Sequence, residues 1–130
     1  MTPVIRFRID FTDAVNLGPG KIALLEAIKS TGSISDAARS LGMSYRRAWM
    51  LINSIKQGFS EAIIVSATGG KGGGGAQVTG FGNKLIDQYR KLEREITLLG
   101  AQWLSEIIPR VNARAGVEKP ARKRLAKRIS

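Results

Sequence analysis

Residues 34–53 hold two short helical patterns separated by one glycine, and few folds accommodate that arrangement. Ala37, Ala38, Leu41, Met43, Ala48 and Leu51 fall at offsets that would bring them to one side of two consecutive helices. Ala38 is small enough for two helices to touch there. Gly42, four residues on, suits a turn in which the chain adopts the left-handed conformation that side chains resist. An ordinary helical hairpin shares the glycine. The small contact residue, the glycine and the apolar offsets together make a helix-turn-helix the better reading.

The flanking sequence supplies the setting. Ile5, Phe7, Ile9 and Phe11 alternate with Arg6, Arg8 and Asp10, which predicts a half-buried strand over 5–11. Leu17-Gly18-Pro19-Gly20 then breaks the chain. Ile22, Leu24, Leu25 and Ile28 give a helix that ends at Thr31-Gly32. Ser33 stands three residues before Asp36, as in a capping box, and starts a helix over about 34–41. Ser44 caps the next, over about 45–57. Ile63-Ile64-Val65 and Ala76 to Val78 form a hairpin around a glycine-rich tip, and Thr79 caps a final helix over about 80–108. The expected fold is mainly α with a small β-hairpin: a winged helix-turn-helix in 1–79, a dimerisation helix in 80–108, and a basic, disordered tail in 109–130.

Charge narrows the function. The 130 residues carry 21 Lys and Arg against 10 Asp and Glu, a formal charge of +11, with neither His nor Cys. Such a surface attracts polyanions. Without Cys or His, disulfide scaffolds, thiolate nucleophiles and the commonest metal ligand and general base are excluded. The remaining residues suggest no catalytic cluster, no metal site and no cofactor, so an enzyme is not expected. Neither a signal peptide nor an apolar run of the ~18–20 residues that cross a bilayer is evident. A cytoplasmic protein without membrane contact is the expectation.

On a wheel of 100° per residue, Ala48, Leu51, Ile52 and Ile55 turn inward, with Arg46, Met50, Asn53 and Gln57 opposite. Arg reads guanine and Asn adenine by paired hydrogen bonds in the major groove, and Met50 suits a thymine methyl. Arg46 and Arg47 could instead bind phosphate alone. Tyr45 inclines toward the core and suits packing. Trp49, on a flank, either wedges between helices or lies on the sugar-phosphate backbone. Ser33, Ser35 and Ser44 stand at helix starts, where capping and phosphate contact are compatible. The partner so predicted is double-stranded DNA.

The run Thr68-Gly69-Gly70-Lys71-Gly72-Gly73-Gly74-Gly75 formally contains G-x-G-x-x-G, but it leads into a strand where the dinucleotide motif requires a helix. A P-loop fails as well, because Gly72 follows Gly70-Lys71 where Ser or Thr is needed. A hairpin tip remains, with Lys71 and Thr68 as candidate phosphate contacts.

Leu85, Tyr89, Leu92, Ile96, Leu99 and Trp103 are spaced 4, 3, 4, 3, 4, the seam of helices that pair lengthwise. A helix of about 29 residues spans ~43 Å and outruns a domain of this size, so half the stripe should need another helix. A homodimer reading half-sites about 34 Å apart, or a multiple of that, is the simplest arrangement.

Several of these residues carry a family resemblance. Gly32-Ser33-Ile34-Ser35, Ser44-Tyr45-Arg46 with Ala48-Trp49, the run Ala67 to Ala76, and Leu85-Ile86 with Tyr89 together resemble the DNA-binding half of the ModE family of molybdate-responsive regulators. The likeness runs over residues 5–105. It implies a winged helix-turn-helix with a long dimerising helix, and control of genes for molybdate uptake and molybdenum-cofactor use. Sensing members of the family add small β-barrel oxyanion-binding domains with a Ser-Ala-Arg-Asn signature. Asn112-Ala113-Arg114-Ala115 only echoes that signature, so a stand-alone DNA-binding form without its own molybdate-binding domain is expected. Two other readings compete with this one: an architectural, weakly specific DNA binder of nucleoid type, and a protein whose long helix recruits a separate sensor protein.

Overall fold

A computed structural model describes residues 1–67 and 75–116. The element order follows the expected course with one addition. Strand β1 (Ile9–Asp10) pairs antiparallel with β2 (Asn16–Leu17), in the register Ile9 opposite Leu17. The expected strand over 5–11 thus forms ladder bonds at two residues only. Its alternation still shows in burial, with Ile5, Phe7 and Ile9 half-buried and Arg6, Arg8 and Asp10 exposed. Phe11 departs from the pattern because the chain already turns there. Its N–H donates to the Val15 carbonyl at 2.8 Å, and the Thr12 hydroxyl accepts from the N–H groups of Ala14 and Val15.

Helix α1 (Pro19–Thr31) begins inside the segment read as a chain break. Proline is tolerated in the first turn because its missing N–H would have no helical partner there. Gly32, at φ 75°, closes the helix with its N–H on the Ile28 carbonyl. Ser33 caps α2 (Ile34–Ser40) by accepting from the Asp36 N–H at 3.2 Å. Gly42 takes φ 65° in the turn, and Ser44 caps α3 (Tyr45–Gly58) through the Arg47 N–H at 3.1 Å. The two helices and their turn are those predicted.

Strands β3 (Ile64–Ala67) and β4 (Gly75–Val78) form the antiparallel stem of the hairpin, with Ala67 opposite Gly75. A side chain at Gly75 would place its Cβ 2.6 Å from the Ala67 carbonyl oxygen, so this glycine serves a close approach of two backbones. The stem is also tied to the α1–α2 junction, by a bridge between Ser33 and Gly75 and by the Ala76 N–H on the Gly32 carbonyl at 2.9 Å.

Helix α4 (Gly80–Trp103) starts at a Thr79 cap, whose hydroxyl accepts from the Gly82 N–H and donates to the Ala62 carbonyl at 2.7 Å. It ends at Trp103, not near residue 108. Turns follow, then a 3-10 turn at Ile108–Arg110. Leu104 closes α4 with its N–H on the Gly100 and Gln102 carbonyls, and Pro109 sits inside the 3-10 turn, where its missing N–H is tolerated. The 24 residues span ~36 Å at 1.5 Å each.

Leu17, Ile22, Leu24, Leu25, Ile28, Ile52, Ile55 and Ile63 form the fully buried centre, ringed by Ala37, Ala38, Ala48, Ile86 and Tyr89. Ala38 is buried in α2, and its carbonyl accepts from the Met43 N–H at the end of the turn. Leu41 is the exception among the helix-turn-helix offsets: it caps α2 and is 39% exposed.

Candidate nucleic-acid interface

Helix α3 packs Ala48, Ile52 and Ile55 into the core, and this fixes what it presents outward. Arg46, Met50 and Asn53 are all exposed on the opposite face, as the wheel predicted. Arg47 is exposed on one flank, above its own cap at Ser44. Tyr45 is not directed to the core: it is 55% exposed, and its ring meets Trp49 edge-on at 6.1 Å between centroids. It occupies the first helical position, before any turn of α3 can cover it. Trp49 is half-buried, with the Lys56 ammonium 5.8 Å from its ring centroid.

These aromatic residues form one wall of an open groove of about 430 Å³ between α3, the start of α2 and the hairpin stem. Ser33 and Ser35 lie on its α2 side, with Arg39, which is held at 3.0 Å by Asp36. Ser66 and Val65 line the stem side. Arg39 and Lys56 were not among the residues singled out in the sequence. Lys56 follows Trp49 by seven residues and so falls on the same flank of the wheel, which was the available signal. Thr68 and Lys71 lie outside the described residues.

The far flank of α3 is held from behind by Lys21, which is only 7% exposed. Its ammonium donates to the Asn16 carbonyl and side-chain oxygen and to the Ser54 hydroxyl, at 3.0, 3.1 and 2.9 Å. Burial, and secondarily the nearby Arg8 charge, lowers its pKa. Ser54 adjoins Asn53, so this internal contact ties the reading helix to the β2–α1 junction.

The seam residues of α4 divide into two sets. Tyr89 is buried, stacks on Phe7 at 4.7 Å and donates its hydroxyl to the Phe7 carbonyl at 2.7 Å, while Leu85 and Ile96 are half-buried. Leu92, Leu99 and Trp103 are 39%, 53% and 79% exposed. On the wheel the exposed three lie to one side of the domain-facing residues Gly82, Ile86 and Tyr89. Among the described residues no helix is long and apolar enough to cross a membrane, and no cluster of His, Cys, Asp or Glu could hold a metal ion.

Fold and surface together define a winged helix-turn-helix whose third helix exposes a cationic face. No family model matches the chain. Relatives do. The chain is 49% identical over 71 residues to the transcriptional regulator ModE of Yersinia pestis, covering 55% of this chain and 27% of that protein. It is 46% identical over 71 residues to the DNA-binding transcriptional dual regulator ModE of Escherichia coli K12, with the same coverage of each. It is 42% identical over 83 residues to the molybdenum-pterin-binding protein MopB of Rhodobacter capsulatus, covering 64% of this chain and 31% of that protein. The resemblance to the ModE family is thus borne out over this stretch, and the chain spans roughly a third or less of the length of these relatives.

Proposed function

We propose that this chain is a sequence-specific DNA-binding transcription regulator. It acts on genes of molybdate uptake or molybdenum use, binds as a homodimer through α4, and needs no molybdate-binding domain of its own to read DNA. The observation that carries the reading is the outward face of α3. Among the described residues, Arg46, Met50 and Asn53 are exposed and make no side-chain hydrogen bond, on a helix whose opposite face is locked in the core. Free donors on a rigid element are what base recognition requires. The names of the relatives support the regulatory role and the link to molybdenum. The half-exposed seam supports the dimer, because the described residues leave Leu92, Leu99 and Trp103 exposed and a second helix would give them a dry environment.

The test is binding to promoter fragments of the source genome at near-physiological salt, with and without molybdate, including those upstream of molybdate-transport genes. Selective binding that is indifferent to molybdate is expected. Arg46→Ala and Asn53→Ala should each lower affinity for the preferred site by about 1–3 kcal/mol and relax its sequence at one position. Uniform weakening on every fragment would instead make Arg46 a phosphate contact. Equal binding of the unaltered protein to all fragments would favour the architectural reading.

A further inference from the structure

One polar cluster lies away from the reading face, where α4 crosses α1. Arg90 of α4 donates from Nε to Oε2 and from Nη2 to Oε1 of Glu26 on α1, at 3.0 and 2.6 Å. Its remaining Nη1 donates to both carboxylate oxygens of Glu93, at 2.9 and 3.1 Å. The three side chains are each between 24% and 39% exposed. A fork of two parallel bonds fixes direction as well as distance, because guanidinium and carboxylate must lie nearly in one plane. Glu93 holds the guanidinium from the other side, so the plane cannot swing freely about the Arg90 side chain. The Glu26 hydrogen bonds raise the Arg90 pKa; burial, the next largest effect, opposes them, and the Glu93 hydrogen bonds add to the rise. The guanidinium stays charged at every working pH.

The position of this cluster gives it a consequence that a surface ion pair elsewhere would lack. Residues 80–90 of α4 pack on their own domain, through Gly82, Ile86 and Tyr89. The free apolar stripe begins at Leu92, two residues beyond Arg90, and continues to Trp103. Beyond the cluster one face of α4 still meets the N-terminal segment, with Gly100 against the Ile5 side chain, while the other carries the exposed stripe; the cluster therefore stands where the packing of α4 on α1 gives way to the segment that carries that stripe. Any tilt at that junction moves α3 relative to the axis of a dimer. Across a lever of ~13 Å, the radius of a domain of this size, a tilt of ~15° displaces a reading helix by ~3 Å, close to one base-pair step.

We infer that the Glu26–Arg90–Glu93 cluster is a positioning device that sets the half-site spacing the dimer accepts. Arg90 touches no DNA; it acts by fixing the angle between α4 and α1. The inference rests on the proposed dimer and DNA-reading function, and goes beyond them in assigning spacing selectivity to named residues.

The test is selection from a random double-stranded DNA library with the full chain, scoring both the half-site sequence and the distance between half-sites. The unaltered protein should enrich one spacing. Arg90→Met keeps side-chain length but removes the fork, and should enrich the same half-site at several spacings, with preference for the first reduced by about an order of magnitude. Arg90→Lys keeps the charge without the planar fork, and should be relaxed as well. Glu26→Gln, the mildest change, should fall between and decides the matter if Arg90→Met does not fold. Size-exclusion chromatography with light scattering accompanies each selection. A dimer with unchanged, single spacing in Arg90→Met, or in Glu26→Gln where that variant decides, overturns the inference. Enrichment of isolated half-sites by the unaltered protein sinks the dimer reading instead, and the inference with it. A loss of spacing preference shared by variants that unpair the dimer would also overturn it, since the angle would not be the cause.

Discussion

Two glycines that look alike in sequence are required for different physical reasons, and substitution should separate them. Gly42 has open space around it but takes φ 65°, which an L side chain adopts only under strain. Gly42→Ala should cost about 1–2 kcal/mol. Gly75 stands where a Cβ would meet the Ala67 carbonyl oxygen at 2.6 Å, and backbone cannot yield as a side chain does. Gly75→Ala should therefore cost about 1–3 kcal/mol and loosen the hairpin stem. Urea denaturation measures both, and amide exchange at Ala67 and Ala76 should change only in the second variant. Lys21 makes a prediction in pH. Its pKa in the fold lies below the ordinary 10.5, so between those two values the unfolded chain holds the additional proton. Its contribution to stability is present above 10.5 and is lost as pH falls through the lowered value. Tyr89 acts oppositely, since burial raises its pKa above 10.0, and its contribution is lost as pH rises through the folded value. Comparing the unaltered protein with Lys21→Met by denaturation across the alkaline range isolates the first effect. The difference in stability between the two should change in favour of the unaltered protein as pH rises toward 10.5, and a constant difference would mean that the buried ammonium is no burden.

At the scale of elements, α4 was legible as a helix with a seam but not in its extent. The 4-3-4-3-4 spacing is a local periodicity and survives in the structure, whereas the end at Trp103 lies within a run whose apolar spacing continues past it and carries no stop signal of its own. The helices around Gly42 were legible for the same reason: Ser33, Gly42 and Ser44 act within three residues of themselves. β2 was missed because Asn16–Leu17 is two residues long and pairs only with β1, so its identity lies in a partner and not in its own pattern. Tyr45 was misplaced because a wheel treats the first helical residue as though full turns flanked it. The Lys21–Ser54 contact, 33 residues apart, and the Glu26–Arg90 fork, 64 apart, leave no local trace at all. The exposed half of the seam carries its own prediction. Trp103→Glu and Leu99→Glu should leave the helical signal and the melting temperature of the domain nearly unchanged, because both side chains are free of the core. In light scattering the mass should fall from twice 14.1 kDa to 14.1 kDa. A mass of 14.1 kDa for the unaltered protein would remove the dimer from the proposal.

For the whole molecule, charge and shape make separate contributions. The formal charge of +11 attracts polyanions in general, and on DNA such binding, through release of counterions from phosphate, weakens steeply with salt. It supplies no sequence preference. In the proposed function preference comes from the α3 face, held in place by the core behind it, by Ser54 on Lys21, and by the hairpin stem tied to the α1–α2 junction. The ratio of specific to non-specific affinity at near-physiological salt separates the two contributions, and it is the most direct measurement of whether this chain reads sequence. Titration of the best-bound promoter fragment against a scrambled fragment of equal length, followed by fluorescence anisotropy, should give a ratio of about 10³ or more. A ratio near one would contradict sequence-specific regulation and leave a basic winged helix that coats DNA without reading it.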